Sequence, residues 1–462
     1  MTIDVFSCVA NGQPGDLLSC LNGYVENAVA YGRSPLVLVI DQTLDPVRRN
    51  ASRAVAAQVH RANRVDVDCI SQREMEAFIT RAGRYSWVDV ETLRYAILGD
   101  HQVAAGYGAA CNVAQLAAGA SAQFIADSVT RYEPIGTPGG DGSTAIHLDD
   151  APPKYDAFAS DVEAMRFFGS VQDMDRMPKV YEEDLLGMAG DALETSAAVS
   201  FGTWMDVGLE SPGFYLLSDK ALIALDDAAY VRDRFNRIVL RVSNNKVVGD
   251  ANLRLHAFAL RSSSMPFLPS ESVQGGLTGQ SLTGVMLRCV QPSMAITAMP
   301  FAVKRSSATQ VFAQEDPATV VRRIGFTDFL SIAVGSVRSA KTVADLGAGT
   351  TRLVGSQSFV SSVMGTWARS VSELAKARSG KVESGMMEED LLSIVAADDE
   401  WRGKSINDLV PYELRSGVNP EQAAAVFFGQ ISKFSRLLSA WPGLVAAVSD
   451  LGKNGIRLGT NQ

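Results

Sequence analysis

The alternation of short apolar runs with helix-spaced segments in the first 130 residues constrains the fold most. The runs with the length and composition of β-strands are IDVFSCVA (3–10), PLVLVID (35–41), VDVDCIS (65–71) and AQFIAD (122–127). Apolar residues recur at helical spacing between them. Strands that alternate with helices are typical of parallel strands joined by right-handed crossovers. We therefore predict an α/β fold with a parallel or mixed sheet and helices on both faces.

Beyond residue 316 the pattern becomes mainly helical. Helical spacing extends over 317–338, 356–378, 386–398 and 420–450. Pro442 predicts a break or a kink in the last of these helices, because proline removes a helical hydrogen bond. We divide the chain into an α/β part, residues 1–305, and a mainly helical C-terminal region, residues 306–462.

Composition and charge exclude several classes of protein. The chain has 42 Lys+Arg against 51 Asp+Glu and a formal net charge of -9, which argues against nonspecific nucleic-acid binding. Uncharged runs fall short of about 18 consecutive apolar residues, so we expect no membrane span. The first residues lack the layout of a secretory signal. The 5 cysteines are odd in number and scattered, which favours a reducing cytoplasm over a disulfide framework or a zinc ribbon.

Polar residues follow the strands at the positions where an open parallel sheet binds its ligand. Such sheets bind ligands outside the carboxyl ends of their strands. The first strand ends at Ala10 and Asn11, the second at Asp41, and the last at Asp127. We expect these residues to line a nucleotide site, with the Gly-, Pro- and Asp-rich segment 133–156 as a cover.

The segment GYGAACNVAQLAAGASAQFIADSV (106–129) resembles a signature of the family-2 glycosyltransferases of GT-A type. In that family a helix with small residues and an asparagine leads into a strand that ends in a D-x-D motif. The matching helix positions are Gly106, Ala110, Asn112, Ala114 and Ala118. The last glycine of the pattern falls one place early, at Gly119. Asp127 stands at the first aspartate, and Val129 replaces the second acid.

Other segments resemble the same family in the expected order, over about residues 3–265. CVANGQP is similar to its first segment, and VLVIDQTLD is similar to its strand with an acidic end, where Gln42 replaces the second acid. The segment 210–225, ESPGFYLLSDKALIAL, resembles the strand that walls the acceptor pocket. The segment 246–258, KVVGDANLRLHAF, resembles the helix start that carries the catalytic base, here Asp250.

The resemblance implies a GT-A-like, Rossmann-related fold and transfer of a sugar from a nucleotide-diphosphate donor. A UDP-sugar is the first choice of donor, and the acceptor is a small molecule, a glycan or a peptide. Asp41 would contact the nucleoside and Asp250 would accept the proton of the acceptor hydroxyl. Asp127 would hold a divalent cation (Mn or Mg) or the diphosphate, with His147 or His256 completing the coordination.

Each of these residues also has a structural explanation. A carboxylate at a strand end or a helix start, as at Asp127 and Asp250, is commonly a turn former or a cap. Asn112 would then bond across a packed helix, and His147 would be solvated. His256 lies in a helical pattern, which favours a structural role.

Two other functions stay open at this point. One is a catalytically degenerate GT-A-like protein that binds a nucleotide sugar or a partner without turnover, which Val129 favours. The other is a nucleotidyltransferase, although the first loop, ANGQPGD, lacks the Arg or Lys expected of one.

Two further segments resemble ligand sites but are interpreted as structural. VADLGAGTT (343–351) is similar to a methyltransferase or ATPase glycine loop, but no strand precedes it, so we predict an interhelical turn. The methionine-rich run 285–301 is expected to pack in the core rather than to contact an apolar acceptor.

Overall fold

The fold is described from a computed structural model of the chain, and the residues that can be described form several ranges. These are 1–100, 106–136, 154–158, 184–204, 237–241, 246–248, 256–261, 265–269, 278–291, 295–305, 330, 333–337, 340–354 and 420–459. The predicted catalytic base Asp250, His147 and all of segments 210–225 and 356–398 lie outside these ranges.

Strands and helices alternate through the first 130 residues, as predicted. The strands are β1 (Ile3–Ala10), β2 (Leu36–Asp41), β3 (Val67–Ser71), β4 (Ala122–Asp127), β5 (Thr130–Gly136), β6 (Lys154–Phe158), β7 (Ser196–Trp204), β8 (Arg237–Arg241), β9 (Lys246–Val248), β10 (Ala257–Leu260) and β11 (Ala295–Arg305). The helices are α1 (Pro14–Ala30), α2 (Pro46–Asn63), α3 (Gln72–Ala82), α4 (Val90–Leu98), α5 (Tyr107–Ala118), α6 (Leu185–Thr195), α7 (Thr278–Val290), α8 (Val343–Val354) and α9 (Pro420–Lys453).

A mixed sheet of nine strands forms the centre of the fold. Its order is β3-β2-β1-β4-β10-β7-β11-β5, with β9 paired to β11. β1, β2, β3 and β4 run parallel, whereas β10 is antiparallel to both β4 and β7. The order β3-β2-β1-β4 with helical crossovers is a Rossmann-like arrangement. β6 and β8 form a separate antiparallel pair.

Helices cover both faces of the sheet, which confirms the predicted fold class. α1, α2 and α6 share one apolar cluster with one face of the sheet. α3, α4, α5, α7, α8 and α9 share a second cluster with the other face. β1, β2 and β4 are mainly apolar because side chains on both faces of a covered parallel strand are buried. Phe6 and Phe124, for example, pack against Tyr24 of α1.

The C-terminal helix α9 is attached to the first part of the chain by charged contacts as well as apolar ones. The Asp100 side chain, which is 1% exposed, accepts from Gln430 Nε2 at 2.6 Å and from Lys433 Nζ at 2.5 Å. Arg436 reaches Asp89 at 2.9 Å. After the helix, the chain packs on β3, since a Cβ added to Gly459 would lie 2.7 Å from Ile70 Cγ1. The predicted boundary at 305/306 stays a prediction, because 306–329 lie outside the described residues.

The glycine-rich segment 343–351 is part of a helix, so the predicted interhelical turn was wrong. Its glycines allow α8 to approach its neighbours closely. A Cβ on Gly347 would lie 2.6 Å from Ser435 O of α9, and one on Gly349 would lie 2.5 Å from Val337 Cγ1. The small residues that resemble a ligand loop are thus explained by helix packing. The predicted helix 420–450 is confirmed, and it continues through Pro442. None of the helices in the described ranges is long and apolar enough to span a membrane.

The packing of α8 on α9 predicts a large difference between two glycine substitutions. Gly347→Ala should lower the free energy of unfolding by roughly 1–3 kcal/mol, because the added methyl group meets backbone atoms of α9. Gly443→Ala is the matched control, since nothing lies within 4 Å of its Cβ position. It should stabilise the protein by up to about 1 kcal/mol. Urea denaturation measures both, and equal effects would contradict the close packing.

Candidate functional site

The carboxyl ends of β1, β2 and β4 lie side by side at one edge of the sheet. Ala10 is paired in register with Asp41, and Val9 is paired with Asp127. Asp41 and Asp127 therefore end the two strands that flank β1, both at the same edge. The structure brings together Ala10, Asn11, Asp41 and Asp127.

From β1 the chain adds β2 and then β3 on one side, and it then crosses over to add β4 on the other side of β1. This reversal opens a crevice between β1 and β4 at this edge. α1 and α2 leave β1 and β2 on one face of the sheet, whereas α3, α4 and α5 lie on the other. In an open α/β sheet, such a switch point is where ligands bind. The two sides of the crevice are tied together, since Asn11 N–H donates to Ser128 Oγ at 3.0 Å.

The loop between β1 and α1 has its own shape at this crevice. Gly12 has a φ of 77° and lies close to the next loop, where a Cβ would meet Thr43 Oγ1 at 2.9 Å. Asn11 Oδ1 accepts from Gln13 N–H at 2.9 Å, and Asn11 Nδ2 donates to Asp16 Oδ2 at 3.3 Å. The exposed Asn11 side chain thus shapes the turn into α1.

Asp41 is a fully buried carboxylate, and only one of its two oxygens accepts a hydrogen bond within the described residues. Its side chain is 0% exposed, and Oδ1 accepts from Thr43 N–H at 2.8 Å. Oδ2 has no hydrogen-bond partner within the described ranges. Burial raises the pKa of the adjacent Cys69 thiol to about 12, and the Asp41 charge adds to the increase. A buried acceptor without a donor costs free energy, so Oδ2 is suited to an N–H or O–H group of a ligand.

His256 lies next to Asp127, immediately before the neighbouring antiparallel strand β10. Asp127 N–H donates to His256 O at 2.8 Å, and His256 Nδ1 lies 3.8 Å from Asp127 Oδ2. The prediction that His256 lies within a helix was wrong, because it directly precedes β10. All four β10 residues are buried, alternately in the two apolar clusters, so their sequence shows no polar alternation. A central strand of this kind cannot be distinguished from a helix by periodicity.

The position of the missing second acid faces the interior of the protein. Asp127 Oδ1 accepts from Val129 N–H at 3.2 Å, and Thr130 Oγ1 donates to Asp127 O at 2.7 Å. This turn directs the Val129 side chain into the core, where it is 5% exposed. A carboxylate at this position would be buried away from the crevice. The side chain beside Asp127 comes instead from His256 across the strand pair.

A divalent cation fits these residues only if other ligands join them. Among the residues that the structure describes, no group of three or more His, Cys, Asp and Glu side chains is arranged to hold a metal ion. Asp127 and His256 offer one carboxylate and one imidazole. Hard cations take about six or more ligands, mostly oxygen. A cation here would therefore need oxygens from a diphosphate and from water.

Asn112 is occupied by backbone contacts rather than directed into the crevice. It is 0% exposed. Its Nδ2 donates to Ala96 O at 3.1 Å and Phe267 O at 2.9 Å, and its Oδ1 accepts from Phe267 N–H at 2.7 Å. These contacts fasten α5 to α4 and to segment 265–269. The structure thus supports the structural explanation of this residue.

The sequence did not reveal the roles of two residues near the crevice, Gln42 and Tyr107. With its amide oriented to suit its neighbours, Gln42 donates to Gly106 O and accepts from Ala110 N–H, each at 3.2 Å, so it caps α5. Tyr107, the first residue of α5, lies near Asp127. Burial raises the pKa of its hydroxyl, and the Cys111 thiol and the Asp127 charge add to this. Both residues lie in segments that resemble the family, but no local pattern predicts their roles, because these depend on contacts between distant segments.

Comparisons with known proteins give little direct information about the family. No protein-family model matches the chain, and no curated protein matches its sequence. Among solved structures, the chain is similar to a mannosyltransferase from Pyrobaculum calidifontis in complex with GDP-Man and Mn2+. The match has a TM-score of 0.29 and 10% identity, and it covers 98% of this chain and 88% of that chain.

The contacts of Asn112 predict a loss of stability on its removal. Asn112→Ala should lower the free energy of unfolding by roughly 1–3 kcal/mol, because it leaves buried backbone groups without partners. Asn454→Ala is the control. It removes one exposed amide contact, to Asp450 O, and should cost less than about 0.5 kcal/mol. Thermal and urea unfolding measure both, and an unchanged Asn112→Ala variant would contradict the structural role.

Proposed function

We propose that this protein transfers a sugar from a nucleotide-diphosphate donor to an acceptor hydroxyl. The observation that carries the proposal is the convergence of Asp41 and Asp127 at the β1/β4 crevice. The resemblance of residues 3–265 to the GT-A glycosyltransferases supports it independently. A UDP-sugar is the donor that the resemblance favours, and other nucleotide sugars are tested beside it.

The two carboxylates have different surroundings, and we assign them different tasks. Asp41 is buried, and its free Oδ2 accepts one hydrogen bond from the base or the ribose of the nucleoside. We assign Asp127, which ends β4 beside His256, to the diphosphate side. The two carboxylates end the strands on either side of β1, and we propose that the ligand extends across these strand ends, from nucleoside to phosphates.

We propose that a divalent cation, Mn or Mg, binds between Asp127, His256 and the diphosphate. When bound, it would neutralise part of the charge of the leaving diphosphate. Asp127 and His256 alone supply too few ligands, so we expect the cation to bind only with the nucleotide. Titration calorimetry of manganese with and without nucleotide tests this. Tight stoichiometric binding without nucleotide would contradict it.

Binding of a nucleotide sugar without turnover is the second candidate. The buried Val129 favours it, because the turn presents one carboxylate where the resembling family presents two. Turnover and binding are separated by comparing donor affinity with release of free nucleotide in the presence of acceptors. Donor binding without nucleotide release would favour this candidate.

A thermal-shift screen tests the donor site directly. UDP-, GDP- and dTDP-sugars are added with and without manganese, and any ligand that binds the native state raises the melting temperature. Asp41→Asn and Asp127→Asn should each reduce the shift. The first changes an acceptor into an amide, and the second removes the charge that faces cation or phosphates.

Asp45→Asn is the matched control for these two variants. Asp45 lies at the same edge, but its carboxylate caps α2 by accepting from Val47 N–H at 2.8 Å. Asparagine caps a helix nearly as well, so the shift should be unchanged. If the donor raised the melting temperature of the Asp41 and Asp127 variants as much as that of Asp45→Asn, neither residue would belong to the donor site.

Asp250 is proposed as the catalytic base on the resemblance alone, since it lies outside the described residues. Asp250→Asn keeps the shape of the side chain but cannot accept a proton. Turnover should fall by roughly 100- to 10,000-fold with little change in donor affinity. If Asp250 only caps a helix, the variant should keep both its activity and its stability. Sugar-transfer rates and thermal shifts, measured together, distinguish the two roles.

A further inference from the structure

The helix that follows Asp41 is strongly basic, although the protein as a whole is acidic. Residues 46–65 contain five arginines and one histidine and no acidic residue, against a net charge of -9 for the chain. The arginines are Arg48, Arg49, Arg53, Arg61 and Arg64. Positive charge is therefore concentrated on α2. This helix lies beside α1 on one face of the sheet.

Several of these charges remain available to a partner. Arg53 is paired with Glu74 at 2.6 Å, and Arg48 lies 3.7 Å from Asp45. Arg49, Arg61 and Arg64 form no ion pair with any residue that the structure describes, and the last two are exposed. The apolar side of α2, with Val55, Ala56 and Val59, is buried on the sheet, so the helix presents its charged side outwards.

Two apolar side chains project from the N-terminal end of this basic helix. Leu44 is 75% exposed and Val47 is 74% exposed, which makes them the most exposed large apolar residues in the described part of the chain. They lie in the loop and first turn after Asp41, so they stand at the rim of the candidate site. Two protruding aliphatic side chains next to a row of arginines combine the apolar and basic groups that bind a membrane interface.

We propose that α2 and the loop before it dock this protein on a bilayer of anionic phospholipids. The arginines would contact the anionic headgroups, and Leu44 and Val47 would enter the boundary between headgroups and acyl chains. The occupant is a membrane rather than a nucleic acid because two protruding aliphatic side chains gain free energy in acyl chains but have no matching surface on a phosphate backbone.

The docked orientation bears on the acceptor. α2 has 18 residues and is about 27 Å long, and its N-terminal end lies at the carboxyl edge of the sheet. If α2 lies along the bilayer with Leu44 and Val47 inserted at its N-terminal end, the mouth of the crevice lies close to the bilayer. We infer that the acceptor is a lipid-linked hydroxyl or phosphate held in the membrane. This identification of the acceptor rests on the proposed sugar transfer, whereas binding to the bilayer does not.

Vesicle sedimentation of the full chain tests the surface. The protein should sediment with vesicles of phosphatidylcholine and phosphatidylglycerol but not with phosphatidylcholine alone, and less so at high salt. The Arg49→Gln/Arg61→Gln variant should bind more weakly by about fivefold for each charge removed. Leu44→Ser/Val47→Ser should lower partitioning by roughly tenfold or more.

The matched controls lie on the opposite face of the sheet, in the loop between α3 and α4. Arg84→Gln removes an exposed charge, and Trp87→Ser removes an apolar side chain that is 51% exposed. Both should sediment like the unmodified protein. Melting temperatures of all variants verify that they remain folded.

Three outcomes would overturn the proposal. They are absence of sedimentation with anionic vesicles, sedimentation that the α2 variants leave unchanged, and equal binding to an RNA oligonucleotide that survives Leu44→Ser/Val47→Ser. Nucleotide thermal shifts are measured on the same samples. A protein that binds vesicles but no nucleotide would contradict the proposed function while leaving the docking surface in place.

Discussion

The arrangement of the candidate site depends on the burial of β1 between two parallel neighbours. β2 and β4 hydrogen-bond to its two sides, and the helices that follow β1 and precede β4 lie on opposite faces of the sheet. Parallel strands in this arrangement must end at the same edge, and the loops that leave them must diverge. The crevice between Asp41 and Asp127 is therefore a direct consequence of strand order.

The polar residues around the crevice divide into those that hold its walls and those that face its contents. The side chains of Gln42, Asn112 and Ser128 form hydrogen bonds with backbone groups of neighbouring segments. Asp41 keeps a buried oxygen without a donor in the described residues, and Asp127 lies beside His256. The first group fixes the shape of the crevice, and the second group supplies the side chains that we propose to bind the ligand. This division also explains how a turn with one acid can resemble a motif with two, because the second position, Val129, serves the core.

The sequence predicted the parallel half of the fold well because each signal there is local. Apolar runs such as 35–41 have strand length, and the helices between them have regular spacing. The edge positions of Asp41 and Asp127 follow from those strands. His256 was misplaced because β10 is buried on both faces, and segment 343–351 was misread because closely packed helices and ligand loops both require glycine. The contacts of Asn112 with Phe267 join residues 155 positions apart and leave no local pattern.

The hydrogen bonds between Asp100 and two residues of α9 have a consequence for the order in which the protein folds. Asp100 stands a few residues before α5, whose N-terminus borders the crevice, yet its partners Gln430 and Lys433 follow more than 300 residues later. Contacts this distant in sequence form late in folding. A nascent chain can build β1, β2 and β3 early, but it completes this wall only when its last helix has left the ribosome. A chain that ends before α9 therefore leaves the buried Asp100 carboxylate without Gln430 and Lys433 beside this wall.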